Sequence, residues 1–133
     1  MADVLWAATH RYRHIQSRAC DWEPHKIFWP TLEADLCQKN PELSTQRKFR
    51  DMARWPVVYL DDIYSSRDPW EAGKDKLFEI LGKRAGKWTI ITCNKTLNDI
   101  RDRDPRVADR MLRGRNIVWN GEGVESFAVV KKL

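Results

Sequence analysis

Asp61 and Asp62 stand side by side at the end of an apolar run, Val57-Val58-Tyr59-Leu60. A carboxylate pair at a strand end suits a hydrated Mg²⁺ carrying a nucleotide, since Mg²⁺ keeps several waters and takes one or two carboxylates plus phosphates. The plain structural alternative is a strand followed by an acidic turn, Asp being a common turn residue. A second apolar stretch, Thr89-Ile90-Ile91-Thr92, runs into Cys93-Asn94. Arg106, Arg110 and Arg113 are spaced i, i+4, i+7 and share a helical face. Two carboxylates, a carboxamide and an arginine are the parts of nucleoside triphosphate hydrolysis: one Asp positions the metal, a second acidic group takes a proton from water, an Asn side chain orients water or the terminal phosphate, and arginine meets the phosphate charge. The arginine stripe could equally hold nucleic-acid backbone. His10 and His14 lie one helical turn apart with no third ligand in sight, so they read as solvated imidazoles.

These groups need elements to bring them together. A run that is apolar at every position, without alternation, suits a strand buried on both faces of a parallel sheet. Ligands of open α/β sheets bind at the C-terminal ends of such strands. Taken in order, residues 2–19 form an amphipathic helix with Leu5, Ala8, Tyr12, Ile15 and Ala19 on one side. A short strand at 26–29 is ended by Pro30, and Thr31 caps a helix through residue 37. A helix at 45–54 buries Phe49, Met52 and Ala53. After the 57–63 strand, Asp68-Pro69-Trp70-Glu71 starts a helix with Trp70, Leu77, Phe78 and Leu81 inward and Gly82 as its stop. The 88–92 segment is a second buried strand. Asp104-Pro105 opens a helix to Gly114 that turns Val107, Ala108, Met111 and Leu112 inward. Strands at 116–119 and 124–130 close the sequence. Strands alternating with helices predict an α/β layered fold with a parallel sheet. Right-handed crossovers then gather Asp61, Asp62, Thr92 and Asn94 on one sheet edge.

The 133 residues fit one domain with one core. Apolar content of 42% beside 32% charged residues places the chain among globular proteins, away from disorder. No apolar run reaches membrane-spanning length and no signal-peptide pattern opens the sequence. Cys20, Cys37 and Cys93 are odd in number and lack metal-ligand spacing, so they read as reduced thiols and the expected compartment is the cytoplasm. A net charge of +5 favours anionic partners. The seven Trp are expected at core and interface positions.

Val57-Val58-Tyr59-Leu60-Asp61-Asp62-Ile63 resembles the Walker B strand of AAA+ ATPases. Thr89-Ile90-Ile91-Thr92-Cys93-Asn94 resembles their sensor 1 strand, and Arg106-Val107-Ala108-Asp109-Arg110-Met111-Leu112-Arg113-Gly114 resembles the arginine-finger helix of the DnaC/IstB-type helicase loaders. The segment from Trp119 to Phe127 is similar to the way those loaders end. The motifs come in family order with family-like spacing, and the resemblance covers essentially the whole chain. It implies a P-loop NTPase core of the AAA+ type, with Asp61 on Mg²⁺, Asp62 as catalytic acid/base, Asn94 as sensor 1, and Arg110, then Arg106, as the finger. It further implies ATP as ligand, head-to-tail self-association or pairing with a full-length AAA+ subunit, contact with single-stranded DNA, and delivery of a replicative helicase or help to a transposase.

The sequence departs from that pattern in one large respect. The phosphate loop G-x-x-x-x-G-K-[ST] is absent. Gly82-Lys83-Arg84-Ala85-Gly86-Lys87-Trp88 has too few residues between its glycines, no Ser or Thr after Lys87, and leads into a strand where the loop would lead into a helix. The arginine expected after Ser126-Phe127 is Ala128. The core is therefore expected to be incomplete at its N-terminus, with Met1 standing where an internal methionine of a longer frame would be. The strand that carries the loop is expected to be missing beside the sensor 1 strand, leaving a gap in the sheet. ATP binding by the chain alone is expected to be weak or nil. The alternative is a non-enzymatic interaction protein that pairs with a full-length loader, a helicase or DNA to regulate it. A remnant without retained activity is the third reading.

Overall fold

In the computed structural model, residues 25–65 and 73–113 are described. Three parallel strands form a sheet in the order β1-β2-β3: β1 His25–Phe28, β2 Val57–Ile63 and β3 Trp88–Cys93. Five helices connect and cover them: α1 Trp29–Leu36, α2 Leu43–Met52, α3 Lys74–Lys83, α4 Leu97–Arg103 and α5 Pro105–Leu112. The expected α/β organisation with a parallel sheet is present. The expected helix at 2–19 and the strands at 116–119 and 124–130 lie outside the described residues, as do His10, His14, Cys20 and the Asp68-Pro69 helix start.

β2 is central, and its apolar residues, Val57 to Leu60 and Ile63, are all buried. Val58, Leu60 and Ile63 join one core with Trp29 and Leu32 of α1, Phe49 and Met52 of α2, Leu77 and Ile80 of α3, Ile100 of α4, and Val107 and Ala108 of α5. Strand alternation alone would send Leu60 and Ile63 to opposite faces. A bulge prevents this: Leu60 pairs with Ile91 and Ile63 with Cys93, so three steps on β2 match two on β3. The extra residue lets Ile63 return to the core side.

The described structure corrects several sequence-based boundaries. Trp29 belongs to α1 rather than to the first strand, and Pro30 sits in the first turn of that helix. Proline's fixed φ and missing N–H suit a first turn, so Pro30 starts the helix instead of ending a strand, and Thr31 is inside it. Helix α2 begins at Leu43 and ends at Met52, earlier at both ends than expected. Gly82 does not stop α3, which runs on through Lys83. Helix α4 was missed altogether. Its signal was a capping box: Thr96 accepts from the Asp99 amide while the Asp99 carboxylate accepts from the Thr96 amide. Asp104 and Pro105 do open α5 as expected, the Asp104 side chain accepting from the Val107 amide. Leu112, expected inward, is 37% exposed at the last turn of that helix.

β3 was expected to be buried on both faces. It is half-exposed through most of its length, and Trp88 is 70% exposed. Among the described residues β3 pairs with β2 alone, so it is the sheet's edge. Of the seven Trp, Trp29 is buried, Trp55 is half-buried and stacks on His25 at 3.8 Å, and Trp88 faces outward.

Candidate functional site

The C-terminal edge of the sheet carries a row of four polar side chains on one face. In the parallel register Lys26 lies opposite Tyr59, and Asp61 follows Tyr59 by two residues, so the three share a side of the sheet. Thr92, on β3, reaches the same place. The Thr92 hydroxyl donates to Asp61 Oδ1 at 2.8 Å, and the Tyr59 hydroxyl donates to the same oxygen at 3.0 Å. Lys26 Nζ stands 3.4 Å from Asp61 Oδ2. Burial pushes the Asp61 carboxyl up, but these donors outweigh it and hold the group below the usual carboxylate range.

Asp62 has a different environment. It is the bulge residue and adopts φ +62°, a left-handed conformation that few residues other than glycine occupy. Its amide donates to Thr92 Oγ1 at 3.1 Å, so the Thr92 hydroxyl joins both acidic residues, one as acceptor and one as donor. Tyr64 follows with φ +61°. Its hydroxyl donates to the buried Asp104 at 3.3 Å, and burial, with Asp104 beside it, pushes its pKa up. Ile63, between two left-handed residues, is fully buried. Backbone strain of this kind persists only where packing and hydrogen bonds over-determine it, and it concentrates at functional sites.

Asn94 lies one residue beyond β3, exposed, with no hydrogen bond to Asp61 or Asp62. The structure thus brings Asp61, Asp62 and Thr92 together and leaves Asn94 at the rim. Sequence reasoning missed Lys26 and Tyr59. In the sequence Tyr59 reads as one of four apolar strand residues and Lys26 as the first residue of a short strand. The signal for Tyr59 was its i, i+2 alternation with Asp61; for Lys26 it was a lone charge inside a short neighbouring strand.

Arg106 and Arg110 lie on α5, against α3, whereas α5 ends at Leu112, short of the expected Gly114, and leaves Arg113 extended just past the helix. The Arg106 and Arg110 guanidinium carbons each stand 5.0 Å from the Phe78 ring centroid. Arg106 pairs with Asp75 at 3.1 Å, and Arg113 with Asp109 at 2.7 Å. Arg110 is half-buried, has no carboxylate partner among the described residues, and its Nε is buried without a hydrogen bond.

The glycine-flanked stretch before β3 has another use. Arg84 is 2% exposed. Its guanidinium donates to the carbonyls of Met52, Trp55 at 2.8 Å and Trp88 at 2.7 Å, and to the Thr89 hydroxyl at 3.0 Å. Lys87 donates to the Ala53 carbonyl at 2.8 Å. The two cations clasp the end of α2 to the start of β3 by satisfying carbonyls the helix leaves unpaired. Burial pushes Arg84 down to about 10, which leaves it cationic at neutral pH.

The donor set bears on metal chemistry. Among the described residues no three His, Cys, Asp or Glu side chains converge as a metal-holding group. The site therefore does not suit a metal held by protein alone. One anionic carboxylate at a strand end does suit Mg²⁺ that arrives with phosphates, which needs only one or two protein oxygens. Among the described residues no helix is long and apolar enough to cross a membrane. No protein-family description, curated protein or solved structure matches this chain at a significant level.

Proposed function

We propose that this chain is part of a DnaC/IstB-type helicase-loader core of the P-loop NTPase class, acting in DNA replication or as a transposase helper and carrying the acidic half of a Mg²⁺–ATP site. The observation that supports the reading best is Asp61 and Thr92, side by side on adjacent parallel strands and joined by a 2.8 Å hydrogen bond at the sheet edge where α/β folds bind ligands. In this reading Asp61 takes the metal, Asp62 accepts a proton from water and Asn94 contacts water or phosphate from the rim. The metal would supply charge neutralisation for the phosphates. Arg110 is the better finger of the two candidates. It has no carboxylate partner among the described residues, whereas Arg106 is held by Asp75.

The phosphate-binding half would come from another polypeptide segment, and the cellular setting would be the cytoplasm. The test is co-sedimentation of the full chain with a full-length DnaC/IstB-type loader and a replicative helicase, with and without Mg²⁺–ATP and single-stranded DNA. Association that depends on Mg²⁺–ATP is expected. Arg110→Ala should keep the association and lower ATP turnover of the mixed assembly by roughly tenfold or more. Failure to associate with either partner under any condition would overturn the reading.

One observation favours a second reading, that of a non-enzymatic regulator of a loader, a helicase or DNA. Arg84 and Lys87, two of the three cations of the Gly82 to Lys87 stretch, are committed to backbone carbonyls, and the third, Lys83, pairs with Glu79. Association that ignores nucleotide, with turnover indifferent to Arg110→Ala, would favour this second reading.

A further inference from the structure

Asp61 is fully engaged by donors from its own chain. Oδ1 accepts from Thr92 and Tyr59, and Oδ2 faces Lys26 at 3.4 Å. The Lys26 ammonium also stands over the Tyr59 ring, 5.5 Å from its centroid, because Lys26 pairs with Tyr59 across the β1–β2 register, and this places it beside the carboxylate two residues on. Of the three donors only Lys26 is charged. It is also the most exposed of them, 44% against a buried Tyr59 and a half-buried Thr92, so its head can swing into solvent. A lysine head is a compact charge on a flexible stem, suited to reversible occupation of a site.

We propose that Lys26 is the resident counter-ion of Asp61, holding the carboxylate oxygen that a divalent cation would take and keeping free metal off the sheet edge. The inference rests on the metal role proposed above for Asp61. A bare divalent ion must displace the ammonium and then sit beside it, two cations at one carboxylate. A metal that arrives with phosphates brings the negative charge that the displaced ammonium can meet. Lys26 therefore selects metal–nucleotide complexes over free metal.

The experiment uses the full chain and free Mn²⁺ as the probe, read from paramagnetic broadening of the amide signals of Asp61, Asp62 and Thr92. Lys26→Met keeps an unbranched chain of similar length and removes the charge, and an unchanged amide spectrum away from β1 and its neighbours on β2 checks its folding. Lys26→Met is expected to bind Mn²⁺ about tenfold or more tightly than the parent chain, the effect of removing one nearby cation at a partly exposed site. Lys26→Arg should behave as the parent, and adding Asp61→Asn to Lys26→Met should erase the gain. Equal Mn²⁺ affinity in parent and Lys26→Met would overturn the counter-ion role and leave the metal role of Asp61 standing. Absence of broadening by free Mn²⁺ in every variant would overturn the counter-ion role, and absence of broadening by Mn²⁺–ATP as well would overturn the metal role of Asp61.

Discussion

Thr92 shows how much one hydroxyl can organise. It donates to Asp61 and accepts from the Asp62 amide, so Thr92→Val removes a donor from an anion and leaves a strained amide without its acceptor. A loss of about 1–3 kcal/mol is expected in urea denaturation. The Asp61 carboxyl sits below its ordinary value of 3.8 in the folded chain. A depressed carboxyl stabilises the fold above the unfolded value, and that contribution is lost as pH falls through the folded one. The stability difference between the parent and Asp61→Asn should therefore be constant from pH 7 down to about 4 and shrink below it; a difference that grows on acidification would contradict the assignment. Arg84 is the second residue with wide reach. Arg84→Met strips donors from the Met52, Trp55 and Trp88 carbonyls and should cost about 3 kcal/mol or more, with Arg84→Lys recovering part. Chemical denaturation of the three chains would check it.

At the scale of the element, helix α3 holds two glycines with opposite meanings. Gly73 precedes the helix with φ +64°, and a Cβ there would collide with the buried Glu33 side chain. Gly82 lies in the last turn, with its nearest neighbour, Arg110 Nε, at ordinary contact distance of 3.9 Å from a built Cβ. Gly82→Ala should raise stability by about 0.5–1 kcal/mol by limiting the unfolded chain, while Gly73→Ala should lower the melting temperature. A destabilised Gly82→Ala would mean that Arg110 needs the open space. The Thr96–Asp99 capping box explains why the short, mostly polar α4 is a helix at all, since it buries only Ile100.

At the scale of the whole molecule, the sheet is asymmetric. β2 has a strand on each side, while β1 and β3 each have one among the described residues. Amide exchange should therefore be slowest in β2, near the global unfolding limit, and faster in β3, whose outer groups lack a described partner. Equal protection of β2 and β3 would show that another segment or chain covers the β3 edge. The sequence pattern of β3 and that of β2 are alike in apolar content, and only their place in the sheet distinguishes a buried strand from a half-exposed one.

The sequence by itself determined the parallel α/β organisation, the two principal strands, the start of α5 and the meeting of Asp61 with Thr92. Each follows from local pattern: uninterrupted apolar runs, a capping Asp before Pro, and the fixed hand of crossovers. Long-range partners decided the rest. Pro30 reads as a strand breaker until α1 begins around it, and Gly82 reads as a stop until α3 passes through it. Arg84 and Lys87 look like poor phosphate-binding groups until the carbonyls at the end of α2 come within reach. Lys26 joined the site only when the β1–β2 register placed it beside Tyr59 and Asp61. Charge and donor type are written in the residue, but which acceptor lies within 3 Å is a property of the packed chain.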